Sequence, residues 1–198
     1  SPVAEEVPQR IVRRERRRER SREEIVEAAR RVLLKKGVAA TTLDAVAEEV
    51  GLTKAALYYY YPSKDALLFE LVFSSLEAQA HAIHGGVEAT KDGGEALGAI
   101  IRETMRTFAT RLDDFRVTYL LGQVSAPGTV HAAAEQLAQI RPLNELSYAG
   151  TAKRLADDWK GGRGRARVEP RLMAFLAGTS AIGLLAMKGM VESVGDPL

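Results

Sequence analysis

The segment from Thr42 to Lys64 constrains the fold of this chain most, because it holds two short helical patterns separated by a single glycine. Its sequence is TLDAVAEEVGLTKAALYYYYPSK. Thr42 is a residue type that caps helix N-termini, and Gly51 suits a tight turn that needs a positive φ angle. Thr53 begins a second pattern that runs to about residue 61, and Pro62 ends it. The segment predicts a helix, a tight turn and a second helix.

These two helices have the residue types that a helix-turn-helix requires. Two short helices that cross at a steep angle need a small residue at the crossing, a glycine in the turn and a few inward-facing hydrophobic residues. Ala47 is the small residue, and Gly51 follows it by four positions. The inner apolar set is Val46, Val50, Leu52 and Leu57. A generic pair of helices meets some of these requirements by chance. The outward residues therefore have to distinguish a helix-turn-helix from such a pair.

The outward residues of the second helix favour contact with DNA. Small side chains let a helix enter a major groove deeply, and hydroxyl and ammonium groups reach phosphates and base edges. A helix turns about 100° per residue, so four consecutive tyrosines cannot all face one interior. Tyr61 is predicted to lie inside, Tyr58 to pack partly, and Tyr59 and Tyr60 to face the DNA or, alternatively, to be surface aromatics without a partner. The outward set is Thr53, Lys54, Ala55, Ala56, Tyr58, Tyr59 and Tyr60.

The charge of the chain is concentrated near this segment. Residues 8–64 hold 14 Lys or Arg against 8 Asp or Glu, a net charge of +6, whereas residues 71–198 hold 14 of each sign. A basic end on a neutral body is typical of a protein that meets a polyanion at one end. Eight arginines lie between Arg10 and Arg22. We predict a flexible basic arm over residues 1–20, which contacts phosphates or a minor groove, or extends the next helix backwards through i,i+4 ion pairs; both can hold.

The remaining sequence is predicted to be helical throughout. Ser21 and Glu24 form a capping-box pattern before a helix that stops at Gly37, and Ser63 begins a fourth helix that runs to about His84, where Gly85 follows. Later apolar residues also recur at helical spacing, and no alternation typical of strands is present. Further helical segments are expected over residues 96–112, 115–121, 129–140 and 143–159, with a break near Pro142, and after Pro170.

Residues 22–72 resemble the N-terminal signature of the tetracycline-repressor (TetR) family. The resemblance implies an all-α fold, in which a three-helix DNA-binding domain (residues 21–62) precedes a helical ligand-binding and dimerisation domain (residues 63–198). Leu43 and Asp44 depart from the commoner pattern and receive no role. The resemblance implies phosphate contacts from Thr42, Thr53, Tyr59, Tyr60 and Lys64, and base contacts from Lys54, Ala55 and Ala56.

Lys64 has a separate physical reason to bind phosphate. It lies in the first turn of a helix, where free N–H groups and the positive end of the helix dipole favour an anion. An ordinary solvated lysine is the alternative.

The C-terminal domain contains methionine and aromatic residues that are candidates to line an effector pocket. Methionines and aromatics at helical spacing are more often plain core, and the resemblance shifts the interpretation towards a pocket for a hydrophobic small molecule. The last helix is apolar nearly all round, which predicts burial against a second copy in a homodimer. The candidate pocket residues are Met105, Phe108, Phe115, Tyr119, Tyr148, Trp159, Met173 and Phe175.

Several classes of protein are disfavoured by the sequence. No cysteine is present, His81, His84 and His131 lack further ligands for a metal site, and no cofactor is expected. Catalytic and phosphate-loop motifs are absent, so we expect no enzyme. The sequence shows no apolar run of about 20 residues and no export signal, so we expect a cytoplasmic protein without membrane contact.

We therefore expect a ligand-responsive transcriptional regulator, a repressor that binds a palindromic DNA operator as a homodimer. The alternative is a non-specific, nucleoid-type DNA-binding protein, which the arginine-rich start and the few base-reading side chains favour. In the first case the fourth helix would transmit effector binding by changing the separation of the two recognition helices.

Overall fold

A computed structural model of the protein describes residues 9–120, 134–163 and 168–193. Every regular element within these ranges is a helix, in agreement with the all-α fold expected from the sequence. The chain forms two compact units, with the boundary between Leu71 and Val72.

The first unit contains three complete helices and the beginning of a fourth. They are α1 (Gln9–Ala40), α2 (Leu43–Val50), α3 (Lys54–Tyr60) and the first turns of α4 (Lys64–Glu88). One face of α1 is buried at the spacing expected from its sequence, and α2 packs against both α1 and α3. The core of this unit consists of Ile25, Ala28, Ala29, Val32, Leu33, Val46, Ala47, Leu57 and Leu67.

The start of α1 differs from the sequence-based expectation. Residues 9–20, expected in a flexible arm, are helical and continuous with the core helix. Ser21 does not cap a helix, because its hydroxyl donates to the carbonyl of Arg17 at 3.1 Å in the middle of α1. Arginine and glutamate are good helix formers, and no glycine or proline interrupts the chain from Gln9 to Lys36. The helix therefore extends backwards to Gln9, the alternative that the charge pattern also allowed.

The turn between α2 and α3 depends on Gly51. This residue has φ of 74° and ψ of 30°, in the left-handed region. Its N–H donates to the Glu48 carbonyl at 3.3 Å, and the Leu52 N–H donates to the Ala47 carbonyl at 2.9 Å. These two bonds form a Schellman motif, which satisfies carbonyls at the end of a helix while the chain reverses direction. The turn predicted from the position of Gly51 is confirmed.

Tyr61 connects the elements of the first unit. Its side chain is only 2 % exposed, and the guanidinium carbon of Arg22 lies 4.9 Å from its ring centroid. Arg22 also forms an ion pair with Glu70 at 3.1 Å, so α1 and the first turns of α4 meet at this ring. Burial, and secondarily the charge of Glu70, raises the pKa of Tyr61 to about 12. The inward placement predicted for Tyr61 is confirmed.

The second unit continues α4 and adds a helical bundle. Its helices are α5 (Gly93–Ala109), α6 (Leu112–Phe115), a π-helical turn (Arg116–Leu120), α7 (Ala134–Lys160) and α8 (Pro170–Ser193). Helices α5, α7 and α8 pack against one another. Many of the residues buried between α5 and α8 are small, which lets these two helices approach closely. One core cluster consists of Ile83, Val87, Ala96, Ala99, Ile100, Ala174 and Ala177.

Two expected helix breaks are absent. Helix α4 continues through Gly85 and Gly86 to Glu88, because Val87 is buried in the core and its packing outweighs the modest cost of helical glycine. Helix α7 contains Pro142 in its interior, where a boundary was expected. Proline removes one helical hydrogen bond, but α7 is held by its packing on α5 and α8. Residues 129–133 of the expected helix lie outside the described ranges.

Helix α8 has more apolar surface than the described part of the chain buries. Residues Pro170–Lys188 are long and apolar enough to cross a membrane by length and composition, although no such run was expected, and only 28 % of that segment is buried. The small residues Ala174, Ala177 and Ala181 are buried. The large residues lie on another side and are 41–52 % exposed; we call them the α8 stripe: Leu172, Phe175, Leu176, Leu184 and Met187.

We predict that Gly51→Ala destabilises the protein by about 1–2 kcal/mol, because an L-residue is strained in the left-handed conformation. No heavy atom lies within 4 Å of an added Cβ at this position, so the backbone alone carries the cost. Gly98→Ala is the matched control, because its added Cβ also meets open space but within α5. The control should stabilise by about 0.5–1 kcal/mol. Urea unfolding followed by circular dichroism measures both, and a Gly51→Ala variant as stable as wild type would contradict the prediction.

Candidate nucleic-acid interface

The residues predicted to contact DNA lie on the surface of the first unit, around α3. Tyr59 is the most exposed of the tyrosines at 64 %, and Tyr58 is 44 % exposed. Ala56, Tyr60 and Lys64 are partly exposed. The exposed members of the set also include Thr42, Thr53, Lys54 and Ala55. The outward orientation expected for the start of α3 is therefore present.

Two threonines cap the helices of the helix-turn-helix. Thr42 Oγ1 accepts a hydrogen bond from the Ala45 N–H at 3.1 Å, and Thr53 Oγ1 accepts one from the Ala56 N–H at 3.2 Å. Each hydroxyl also has a hydrogen to donate. Because both side chains are exposed, each can cap its helix and donate to a phosphate oxygen at the same time.

Lys54, at the start of α3, is held by a neighbouring carboxylate. Its Nζ lies 2.9 Å from Asp44 Oδ2 and 5.7 Å from the centroid of the Tyr58 ring. The hydrogen bond to Asp44, and then the charge of Asp44, raise the pKa of Lys54. Ala55 and Ala56 follow directly, so Lys54 is the single long side chain in the first turn of α3. Asp44 thus orients the one ammonium group in the first turn of α3.

Lys64, in the first turn of α4, has a partner within the protein. Its Nζ donates a short hydrogen bond to the carbonyl of Val38, which follows the kink of α1 at Gly37. An ammonium group has three donors, so two are left for other acceptors. A surface hollow of about 250 Å³ brings together three of the predicted contacts and their neighbours: Thr42, Leu43, Asp44, Tyr58, Pro62, Ser63 and Lys64.

Tyr59 and Tyr60 lie beside the arginine-rich part of α1. Their ring centroids are 5.4 Å apart in an edge-to-face arrangement, and the guanidinium carbon of Arg18 lies 5.6 Å from the Tyr59 centroid. A second hollow, of about 480 Å³, separates α1 from these rings. We call it the arginine–tyrosine groove; it is lined by Ile11, Arg14, Glu15, Arg17, Arg18, Tyr59 and Tyr60.

Sequence reasoning missed two features of this surface. Asp44, which received no role because it departs from the commoner family pattern, pairs with Lys54 ten residues later, and only the helix crossing brings the two together. The individual groove arginines were not distinguished from their neighbours, although Arg14, Arg17 and Arg18 have a spacing that places them on one helix face. Helical periodicity within the arginine run was the signal that could have found them.

The predicted pocket residues of the second unit separate into groups. Phe108, Phe115 and Tyr119 pack with ring centroids 5.4–5.8 Å apart, and Met105 packs against them. Tyr148 instead contacts Phe175, with centroids 5.8 Å apart, at the edge of a surface hollow of about 310 Å³. Trp159 and Met173 are partly buried, and no described aromatic contact joins them to either group.

A row of hydrogen-bonded polar side chains lies beside the aromatic group of Phe108, Phe115 and Tyr119. The Tyr119 hydroxyl donates a short hydrogen bond to the side-chain oxygen of Gln79, whose amide donates to Thr104 Oγ1 at 3.4 Å. Gln79 and Thr104 are buried, and burial raises the pKa of Tyr119 well above its usual range. These hydrogen bonds place polar groups inside the unit, directly beside the packed aromatic rings.

Two of the three histidines considered for metal binding lie within the described residues. His81 and His84 are exposed on α4, and His131 lies outside the described residues. Within the described ranges, no three His, Asp or Glu side chains cluster closely enough to hold a metal ion.

Comparison with known proteins places the helix-turn-helix in an established family. The sequence model described as "Bacterial regulatory proteins, tetR family" matches residues 25–71. The HTH-type transcriptional regulator TtgR of Pseudomonas putida is 32 % identical over 93 residues, 47 % of this chain and 43 % of TtgR. The match thus spans less than half the length of that relative.

Solved structures extend the similarity over most of the chain. A transcriptional regulator of the TetR/AcrR family from Thermobifida fusca aligns with a TM-score of 0.64 and 25 % identity, covering 84 % of both chains. The TetR family regulator PfmR from Thermus thermophilus aligns with a TM-score of 0.62 and 26 % identity, covering 82 % of this chain and 81 % of PfmR. These proteins are regulators rather than enzymes. Residues 25–71 thus match the DNA-binding part of the TetR family of bacterial transcriptional regulators, and the fold of the chain is similar to TetR-family regulators over most of its length.

Proposed function

We propose that the protein is a ligand-responsive repressor that binds a palindromic operator as a homodimer, with α3 in the major groove. The observation that carries this proposal is the outward face of α3, where Thr53 caps the helix and Lys54, Ala55 and Ala56 form its first turn. Small residues beside one long donor allow close approach of the helix to base edges. The two capping threonines and the hollow around Lys64 supply phosphate contacts on the same surface.

The homodimer is supported by the α8 stripe. Its residues form two groups, Leu172, Phe175 and Leu176 on the first turns of α8 and Leu184 and Met187 eight or more residues later, and all of them are exposed. Large contiguous apolar patches on a protein surface mark sites of association. A two-fold dimer presents two copies of α3, which matches operator half-sites one helical turn, about 34–36 Å, apart. Symmetric association therefore predicts a palindromic operator.

The effector site is proposed at the aromatic group around Phe108 and Tyr119. The aromatic rings suit an apolar ligand, and the polar chain through Gln79 supplies a hydrogen-bonding group. Gln79 lies on α4, the helix that contributes residues to both units. A ligand that recruits Gln79 would act on the helix that begins with Lys64. This is the basis for proposing that effector binding changes operator affinity.

Operator selection from a random DNA pool tests the DNA-binding proposal. We expect a palindromic sequence bound at least about a thousand-fold more tightly than random duplex at the same salt concentration. Lys54→Ala should cost about 1–3 kcal/mol in operator binding and relax specificity at one position of each half-site. Lys153→Ala is the matched control, because Lys153 is also exposed and paired with an aspartate, Asp157, at 3.0 Å. Equal affinity for all duplexes would favour the non-specific alternative and contradict the repressor proposal.

Sedimentation equilibrium tests the dimer. The wild-type protein should be dimeric at micromolar concentration, and Leu176→Glu should be monomeric because it places a charge in the middle of the stripe. Leu34→Glu is the control, since Leu34 is 39 % exposed on α1 and should leave the dimer intact. A monomeric wild-type protein, or one that partitions into lipid vesicles through α8, would contradict this assignment of the stripe.

A screen of apolar compounds with one hydrogen-bonding group tests the effector site. Compounds that raise the thermal midpoint should weaken operator binding, and Gln79→Leu should lose this response while keeping the operator affinity of the ligand-free protein. Gln139→Leu, at an exposed position on α7, serves as the control. A compound that stabilises the protein without changing operator affinity would contradict the proposed coupling.

A further inference from the structure

We propose that one face of the N-terminal part of α1 is a second phosphate-binding surface, which extends the DNA contact of α3 through the arginine–tyrosine groove. The face consists of Arg14, Arg17 and Arg18, and its partner is the phosphate backbone of duplex DNA. The inference rests on the proposed DNA-binding function and adds to it which arginines of the run contact DNA and which do not.

The arginines of α1 divide into two faces. Arg14, Arg17 and Arg18 line the groove, and each is exposed. At about 100° per residue, Arg13, Arg16 and Arg20 point about 120° away from this face on average. These three are also exposed, and none of them lines the groove. The two sets therefore carry the same charge on the same helix but differ in whether they face α3.

The groove arginines are held in place relative to α3. Arg22 is fixed by its contact with the Tyr61 ring at 4.9 Å and by its ion pair with Glu70 at 3.1 Å. The helix between Arg22 and Arg14 contains neither glycine nor proline. A positioned helix loses less conformational freedom on binding than a disordered arm does, so each arginine contributes more to affinity.

The electrostatics of the groove suit an anion. The residues of α1 that line the groove include three arginines and one acidic residue, Glu15, and α3 contributes the two tyrosines. The contact of Arg18 with the face of the Tyr59 ring at 5.6 Å orients its guanidinium while its N–H donors stay available. Tyr59 and Tyr60 add hydroxyl groups, which also donate to phosphates. The surface offers positive charge and several hydrogen-bond donors, the groups that bind phosphate oxygens.

The position of the arginine–tyrosine groove along α3 determines which part of the DNA its arginines contact. Tyr60 lies about 9 Å along the axis of α3 from Lys54, at a rise of about 1.5 Å per residue. The start of α3 faces base edges in the proposed complex, so the groove lies at the far end of the recognition helix. Its arginines would then contact the backbone that borders the major groove. This contact is independent of sequence and should appear as salt dependence rather than as specificity.

The salt dependence of DNA binding tests the inference. The whole chain is titrated onto its selected operator, and onto a random duplex of about 30 base pairs, between about 50 and 200 mM salt. Three proteins are compared: R14Q/R17Q/R18Q, R13Q/R16Q/R20Q and wild type. Three lost phosphate contacts should lower the slope of log affinity against log salt by about 2–3 for the groove variant on both duplexes. The matched variant should keep the wild-type slope to within about 0.5. Circular dichroism confirms that both retain their helix content.

The outcomes separate this inference from the proposed function. If the groove variant still prefers the operator and its salt slope equals that of the wild type, the proposal of a phosphate-binding arginine surface is wrong. The repressor proposal is unaffected by that result. Equal loss of slope in both triple variants would also overturn it, because general charge rather than one face would then be responsible. A lost preference for the operator in the groove variant would assign the arginines to base or minor-groove readout and overturn the backbone assignment. A wild-type protein that binds neither duplex would overturn both proposals.

Discussion

The left-handed backbone of Gly51 is the constraint on which the DNA-binding surface depends. It lets the Ala47 and Glu48 carbonyls find donors within the turn, so that α2 can end and α3 can begin within a few residues. Leu57 is then fully buried, and the start of α3 faces outward. An ordinary L-residue at this position would strain the turn and, with it, the placement of Lys54 relative to Asp44.

The polar groups of this surface are organised before any DNA binds. Lys54 is oriented by Asp44, Lys64 by the Val38 carbonyl, and the two capping threonines by the N-termini they serve. The Lys54–Asp44 ion pair is exposed and therefore weak, so another acceptor can compete for its ammonium group. Their main effect is to limit the conformations available to long side chains, which reduces the entropic cost of recognition.

Most of the buried apolar residues of α8 are small, and most of its exposed ones are large. Ala174, Ala177 and Ala181 are buried together with Leu185, whereas the α8 stripe of leucines, Phe175 and Met187 is exposed. Small residues allow close helix packing inside the protomer, and large ones offer area for association outside it. The same unit places a polar chain from Tyr119 through Gln79 to Thr104 beside packed aromatic rings. The hydrogen bonds along this row satisfy the buried polar groups beside the apolar rings.

The sequence by itself determined the helical class, the turn at Gly51, the two threonine caps and the inward Tyr61, because capping, glycine conformation and periodicity act over a few residues. The tertiary structure decided what depends on distant partners. Helix α4 continues through Gly85 and Gly86 because Val87 is buried in the core. Helix α7 continues through Pro142 because it packs on α5 and α8. The pairing of Lys54 with Asp44 and of Arg18 with Tyr59 likewise required helices to cross. Capping and periodicity describe each helix by itself. The free energy of packing decides which glycines and prolines a helix tolerates and which side chains from different helices come into contact.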